Sequence, residues 1–421
     1  MLESTESLLP LKQGNTPLRV VCVGIQDHPL DELERLLSTL DLEIVGSARM
    51  ASRTVNPATY VGKGKLDEVK ALVEQKSADA VIVDIELSPN QLKNIESYLG
   101  KHTLDRPGVI IEIFSQHARS KEAKTQVELA KLQYILPRLA HLWTHFERQR
   151  GGMGNKGMGE TQVEVDRRLV KKRMSNLRER LKDIENERKI QRSGRKDVLK
   201  VALVGYTNAG KSTLLNALTQ SNVLAENKLF ATLDASVRTL DPNSHPPIVA
   251  IDTVGFISRL PPSLIASFRS TLEELHEADL LLHVVDGSSP EAREQLEVTE
   301  EVLKELKVFD KPRITVLNKM DMIGNAVTSR NLVRVISPGS MALSALNQPE
   351  VIKLRDKILQ HFLKDMEVYE VVIPYDESRL EALLHAHGSV EKTTHLEKGA
   401  FYRVRMTEGW AKKLGLEKYK T

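Results

Sequence analysis

At 421 residues the chain is too long for one hydrophobic core, and its length predicts about three domains. With 41% hydrophobic and 28% charged residues it has the composition of a soluble globular protein, and no apolar run approaches the roughly 18 residues that would span a bilayer, so membrane insertion is not expected. The net charge of +3 hides an uneven distribution: between Arg138 and Lys200 there are 18 Lys/Arg against 9 Asp/Glu, a local basic excess in an otherwise mildly acidic chain.

In chain order, residues 1–16 read as a mobile tail. Residues 17–115 alternate apolar runs with helical patterns: strands are predicted at 20–23, 43–48, 80–83 and 109–113, and helices at 30–40 and 66–75. That alternation predicts an N-terminal parallel α/β domain. Gly62-Lys63-Gly64-Lys65 lacks the spacing and the hydroxyl of a phosphate loop and reads as a turn. Residues 116–196 carry two apolar seams at steps of three and four. One comprises Leu129, Leu132, Leu136, Leu139, Trp143 and Phe146; the other comprises Val170, Met174, Leu177, Leu181 and Ile184. Two such seams predict an antiparallel helical hairpin, which Pro137 should kink or bound. The tip holds Gly151, Gly152, Gly154, Gly157 and Gly159 with Arg148, Arg150 and Lys156. A segment so rich in glycine cannot pack a core. It reads as a mobile basic loop suited to close approach to RNA phosphates, against a plain flexible hinge. Residues 197–365 hold the motifs described next, and residues 366–421 suggest a small α+β C-terminal domain. Cys22, the sole cysteine, reads as a small core residue. The absence of Lys and Arg from the first ten residues argues against a secretory leader, so a reducing, cytoplasmic setting is expected.

Gly205-Tyr206-Thr207-Asn208-Ala209-Gly210-Lys211-Ser212 is a complete phosphate-binding loop between an apolar strand and the helix opened by Thr213. Its backbone N–H groups and the helix N-terminus favour phosphate; Lys211 is placed to reach the β- and γ-phosphates and Ser212 to bind Mg²⁺. Asp252-Thr253-Val254-Gly255 follows another strand: Asp252 is expected beside the Mg²⁺, and the Gly255 N–H against the γ-phosphate. In Asn318-Lys319-Met320-Asp321, a carboxylate at Asp321 can accept from both N1–H and the exocyclic amine of guanine, which adenine cannot offer. Asn318 should support the loops, Lys319 should stack on the base, and the backbone of Ser344-Ala345-Leu346 could meet guanine O6. Between the first two motifs, Phe230-Ala231-Thr232 supplies Thr232 as the switch threonine, a third Mg²⁺ ligand. The reading is therefore a P-loop GTPase using Mg²⁺ and GTP, with Lys211, Thr232 and Gly255 closest to the chemistry. Phe256 occupies the place where many small GTPases keep a water-orienting glutamine, which implies slow intrinsic hydrolysis completed by a partner.

Taken together, these stretches resemble the HflX family of ribosome-associated GTPases over nearly the whole chain. The similarity is carried by residues 205–213, 228–234 and 252–257 with Leu260-Pro261, and by Tyr60-Val61-Gly62-Lys63-Gly64-Lys65-Leu66. The most distinctive block is Arg150-Gly151-Gly152-Met153-Gly154-Asn155-Lys156-Gly157-Met158-Gly159-Glu160-Thr161-Gln162. Met158 stands where the family commonly has proline, and Asp234-Ala235-Ser236-Val237 replaces a usual Asp-Pro-Thr-Thr. The resemblance implies a protein that binds the large ribosomal subunit and its RNA through the hairpin and splits or rescues ribosomes under stress, with hydrolysis stimulated by the ribosome; separately, a monomer is expected. Two other readings of the motifs are a signalling switch that binds protein effectors and an RNA-remodelling NTPase.

Overall fold

Runs of aliphatic and β-branched residues, each followed by a helical pattern, build two largely parallel sheets; a third, antiparallel sheet closes the chain. The computed structural model describes the chain apart from residues 1–7, 9–11, 14–15, 26–29, 51–54, 140–155, 194–197, 220–228, 231–235, 241–246, 260, 262–268, 324–325, 365 and 421. It divides into two units. The first holds residues 1–189 with 227–234 and 259–270, and the second holds 190–226, 235–258 and 271–421.

In the first unit, β1 (Arg19–Ile25), α1 (Asp31–Thr39), β2 (Glu43–Met50), α2 (Lys63–Lys76), β3 (Ala80–Val83), α3 (Pro89–Leu99), β4 (His102–Asp105) and α4 (Arg106–His117) follow in turn. The strands lie in the order β2-β1-β3-β4, all parallel. Val21, Val23, Val81 and Val83 meet Val69, Val73 and Ile95 of the covering helices in one buried cluster. The run at 109–113, read above as a strand, is the middle of α4, and the fourth strand is the shorter His102–Asp105. Asp105 caps this helix by accepting the Gly108 N–H at 3.1 Å, and Pro107 occupies its first turn. Every residue from Arg106 to Phe114 is buried, so the helix shows no polar face and its apolar run mimics a central strand. Within residues 1–16, the described residues make contacts of their own. Lys12–Gln13 pairs with Thr16–Pro17, the Leu8 N–H donates to Glu112 at 2.8 Å, and the Leu8 carbonyl lies 3.0 Å from the His102 ring.

The same unit contains α5 (Lys121–Ile135) and α6 (Lys156–Ser193). α5 ends just before Pro137, in a 3₁₀ turn at Leu136–Arg138. Leu129 and Leu132 pack on Val170, Met174 and Leu177, the two apolar seams. Arg173 pairs with Glu128 and Arg188 with Glu122, so the sequence runs in opposite directions along the two helices. Gly157 and Gly159, with Lys156, are helical in backbone rather than part of a loop: continuation into the long helix outweighs the cost of about 1 kcal/mol per glycine. Arg148, Arg150 and the glycines before Lys156 lie outside the described residues.

The second unit carries β5 (Leu199–Val204), α7 (Lys211–Thr219), β6 (Ser236–Thr239), β7 (Ile248–Asp252), α8 (Arg269–Glu277, mostly here), β8 (Leu280–Asp286), α9 (Ala292–Glu305), β9 (Arg313–Asn318), α10 (Ala326–Ile336), β10 (Met341–Ala342) and α11 (Gln348–Lys364). The sheet order is β10-β9-β8-β5-β7-β6; only β6 is antiparallel to its neighbour. Val201, Leu203, Leu282, Val284 and Val316 pack against Leu214, Leu218, Leu354 and Ile358, which leaves the carboxyl ends of the central strands to carry the motif loops. The chain then forms β11 (Glu367–Pro374), α12 (Ser378–His387), β12 (Ser389–Leu396), β13 (Gly399–Met406) and α13 (Glu408–Leu414). The antiparallel order is β11-β13-β12, around a separate core of Val371, Leu384, Tyr402 and Val404. β12 is largely exposed and polar, without the apolar alternation that would mark it in the sequence.

Candidate nucleotide site

β5 ends at Val204 and the chain turns sharply through Gly205 and Gly210, both in backbone conformations that disfavour side chains (φ +149° and +88°). A Cβ on Gly205 would overlap the Val284 carbonyl, and one on Gly210 would overlap the Asn318 amide, so the loop is wedged between β8 and the β9 loop. Tyr206 and Thr207 are buried, Asn208 takes φ +59°, and Ala209 is buried beneath the loop. Lys211, Ser212 and Thr213 open α7. The Lys211 ammonium is covered and donates to the Gly205 and Tyr206 carbonyls at 3.1 and 2.8 Å. Burial lowers its pKa to about 8, with the Asp252 charge opposing that shift.

Ser212 and Asp252, 40 residues apart, come together: the hydroxyl donates to the carboxylate at 2.7 Å. A hydroxyl and a buried carboxylate side by side at the end of a phosphate loop form an oxygen donor pair suited to a hard divalent cation. Thr253, fully buried, donates to the Leu203 carbonyl at 2.6 Å and ties β7 to β5. Val254, Gly255 and Phe256 are buried, and Phe256 presents no polar atom from its side chain.

On the base side, Asn318 is a brace. Its amide donates to the Ala209 carbonyl and its carbonyl accepts the Ala345 N–H, both at 2.9 Å, so one buried side chain joins three motif loops. Lys319 adopts φ +62° and pairs with Asp286 at 2.8 Å. Asp321, Ser344 and Leu346 line one open groove of about 810 Å³. The Ser344 N–H donates to Glu350 at 2.7 Å and the Leu346 N–H to the Ser344 hydroxyl at 3.2 Å. All three amides of 344–346 therefore have protein acceptors, the longest being that of Leu346.

Ala231 and Thr232 lie outside the described residues. Phe230 belongs to the first unit, where its ring meets Phe114 edge-on at 4.7 Å and the neighbouring Leu229 N–H donates to Thr39. The sequence reading also missed Asp286. It ends β8 in Val-Val-Asp-Gly, much as Asp252 ends β7, and that repeated strand-end carboxylate was the available signal. Arg259 pairs within the first unit with Asp84 at 2.8 Å and with the Asp84 carbonyl at 2.9 Å.

Three family models match the chain: a GTP-binding GTPase N-terminal region at residues 27–115, a GTP-binding GTPase middle region at 117–195, and a 50S ribosome-binding GTPase at 200–319. GTPase HflX of Caldanaerobacter subterraneus is 42% identical over 92% of this chain and 91% of its own. The chain belongs to the HflX family of GTPases. GTPase HflX of Escherichia coli is 38% identical over 90% of this chain and 89% of its own. A GTP-binding protein of Sulfolobus solfataricus, solved with GDP, aligns at 27% identity over 82% of this chain and 98% of its own, with a TM-score of 0.44. As an HflX-family member the chain binds and hydrolyses GTP. No helix among the described residues is long and apolar enough to cross a membrane.

Proposed function

We propose that this GTPase acts in the cytoplasm, as a monomer, on the large ribosomal subunit, where GTP binding and hydrolysis drive splitting or rescue of ribosomes under stress. The observation that carries the nucleotide half is the Ser212–Asp252 contact at 2.7 Å beside a buried Lys211. With GTP in place, Lys211 would hold the β- and γ-phosphates and the backbone of 205–213 would cradle them; Ser212, Asp252 and Thr232 would hold Mg²⁺, whose charge would offset that of the phosphates. The Gly255 N–H reads the γ-phosphate. Asp321 selects guanine, Lys319 covers the base from the position set by Asp286, and Asn318 and Ala345 keep the loops in register.

Support for the ribosomal half comes from the 50S ribosome-binding model over residues 200–319 and from charge on the hairpin. Arg167, Arg168, Lys171, Lys172, Arg178, Arg180 and Lys182 are exposed along α6, a row of cations suited to RNA phosphate, and Arg148, Arg150 and Lys156 add to the basic charge of this stretch of sequence. Because Phe256 cannot orient water, the ribosome supplies the group or the ordering that completes hydrolysis. The test is co-sedimentation with 50S particles in a non-hydrolysable GTP analogue against GDP, together with turnover with and without 50S. Retention with the analogue that weakens steeply between about 50 and 200 mM salt is expected. Equal retention in both nucleotides and unstimulated turnover would refute the proposal; salt-independent binding to a protein effector would favour a signalling switch.

A further inference from the structure

The phosphate loop and the segment after Gly255 are zipped together inside the second unit. The Phe256 N–H donates to the Gly205 carbonyl at 3.1 Å, and the Phe256 carbonyl accepts the Thr207 N–H at 2.7 Å, a parallel bridge between Tyr206 and Phe256. One turn outward, the Ser258 N–H donates to the Tyr206 hydroxyl at 2.6 Å. The Tyr206 ring is buried at 8% exposure. The phosphate-binding work of this loop falls to its backbone, and the tyrosine hydroxyl reaches instead to the segment that follows the γ-phosphate sensor.

The zipper has a steric consequence. A Cβ built on Gly255 would lie 2.8 Å from the Thr207 Cα and 2.9 Å from the Lys211 ammonium nitrogen. Gly255 is therefore packed directly on Lys211, while the ammonium is hydrogen-bonded to loop carbonyls. A γ-phosphate held by both Lys211 and the Gly255 N–H would enter where Gly255 now packs on Thr207 and Lys211, so its arrival works against the zipped segment.

We infer that Tyr206 is a positioning residue whose hydroxyl latches residues 256–258 onto the phosphate loop, so that GTP, but not GDP, must break this latch to bind. The inference rests on the proposed roles of Lys211 and Gly255. It predicts that the latch lowers affinity for the triphosphate relative to the diphosphate. In the full-length chain, Tyr206→Phe removes one oxygen and keeps the ring. The affinity ratio of guanosine 5′-[β,γ-imido]triphosphate to GDP is expected to rise about 3- to 10-fold, the worth of one such hydrogen bond, and KM for GTP to fall by a similar factor where chemistry is slow. A ratio within twofold of wild type, or a parallel loss for both nucleotides as a merely structural role would give, overturns the latch. Failure of the wild-type chain to bind either nucleotide would instead remove the nucleotide-site reading beneath it.

Discussion

Asn318→Ala tests whether the nucleotide site is held together by one side chain. Asn318 is 1% exposed, donates to the Ala209 carbonyl and accepts from the Ala345 N–H. Both partners are buried, so truncation leaves one acceptor and one donor without a bond in a region that excludes water. Each orphaned group costs about 1–3 kcal/mol, or about 2–6 kcal/mol together before relaxation. The side chain also sits directly behind Gly210, so its loss opens a void against the phosphate loop. If about 3 kcal/mol of that cost falls on the arrangement that binds nucleotide, GDP affinity drops on the order of 100-fold. The measurements are titration with a fluorescent GDP and the melting transition of the free chain. Asp321→Ala is the contrast: Asp321 is exposed in the free chain, so it should lose nucleotide affinity with little change in melting. An Asn318→Ala protein that binds GDP within about threefold of wild type and melts at the same temperature would refute the brace.

Asp321→Asn should shift base preference from guanine to xanthine, whose ring offers a carbonyl where guanine has its amine; competition between GTP and XTP reads this, and undiminished GTP preference counts against it. Lys211 has a pKa of about 8, raised when phosphate holds its proton, so nucleotide affinity should be full below pH 8 and decline as pH rises above it, in binding measured from pH 6.5 to 9. His283 is 1% exposed, with no hydrogen-bond partner for either ring nitrogen among the described residues, and burial, with Arg313 and Lys211 adding to it, lowers its pKa to about 3. The unfolded chain then binds the extra proton first, so stability is lost as pH falls below about 6.5, by about 2 kcal/mol at pH 5. His283→Leu should flatten that part of the melting-against-pH curve, and an unchanged slope would exclude His283 as its source. Asp84→Ala leaves Arg106, 1% exposed and otherwise paired with Glu32, without its second carboxylate, and it removes the carboxylate that pairs with Arg259 while keeping that residue's bond to the main-chain carbonyl. Loss of a partner from a buried ion pair costs about 3–5 kcal/mol, read as a lower urea midpoint; an unchanged midpoint would mean the network is solvated in solution.

What could be read directly from the residues was the chemistry of the loops and the period of long segments. Gly205 to Ser212, Asp252 to Gly255 and Asn318 to Asp321 sit at strand ends, where the pattern of glycine, lysine and carboxylate is local and can be recognised whatever the surrounding fold. The strands at 20–23 and 80–83 and the two hairpin seams were legible because one face, or the whole, of each element must be apolar. The α4 helix was not, since a segment buried on all sides loses the period that separates helix from strand. Nor was β12, whose place comes from pairing with β13 rather than from an apolar face. Only the tertiary structure could place Asp286 beside Lys319, Asp84 beside Arg259, and the Tyr206 hydroxyl on the Ser258 N–H. Those contacts join residues 33, 175 and 52 positions apart. A chain encodes such meetings through the packing of whole layers, and no local spacing records them.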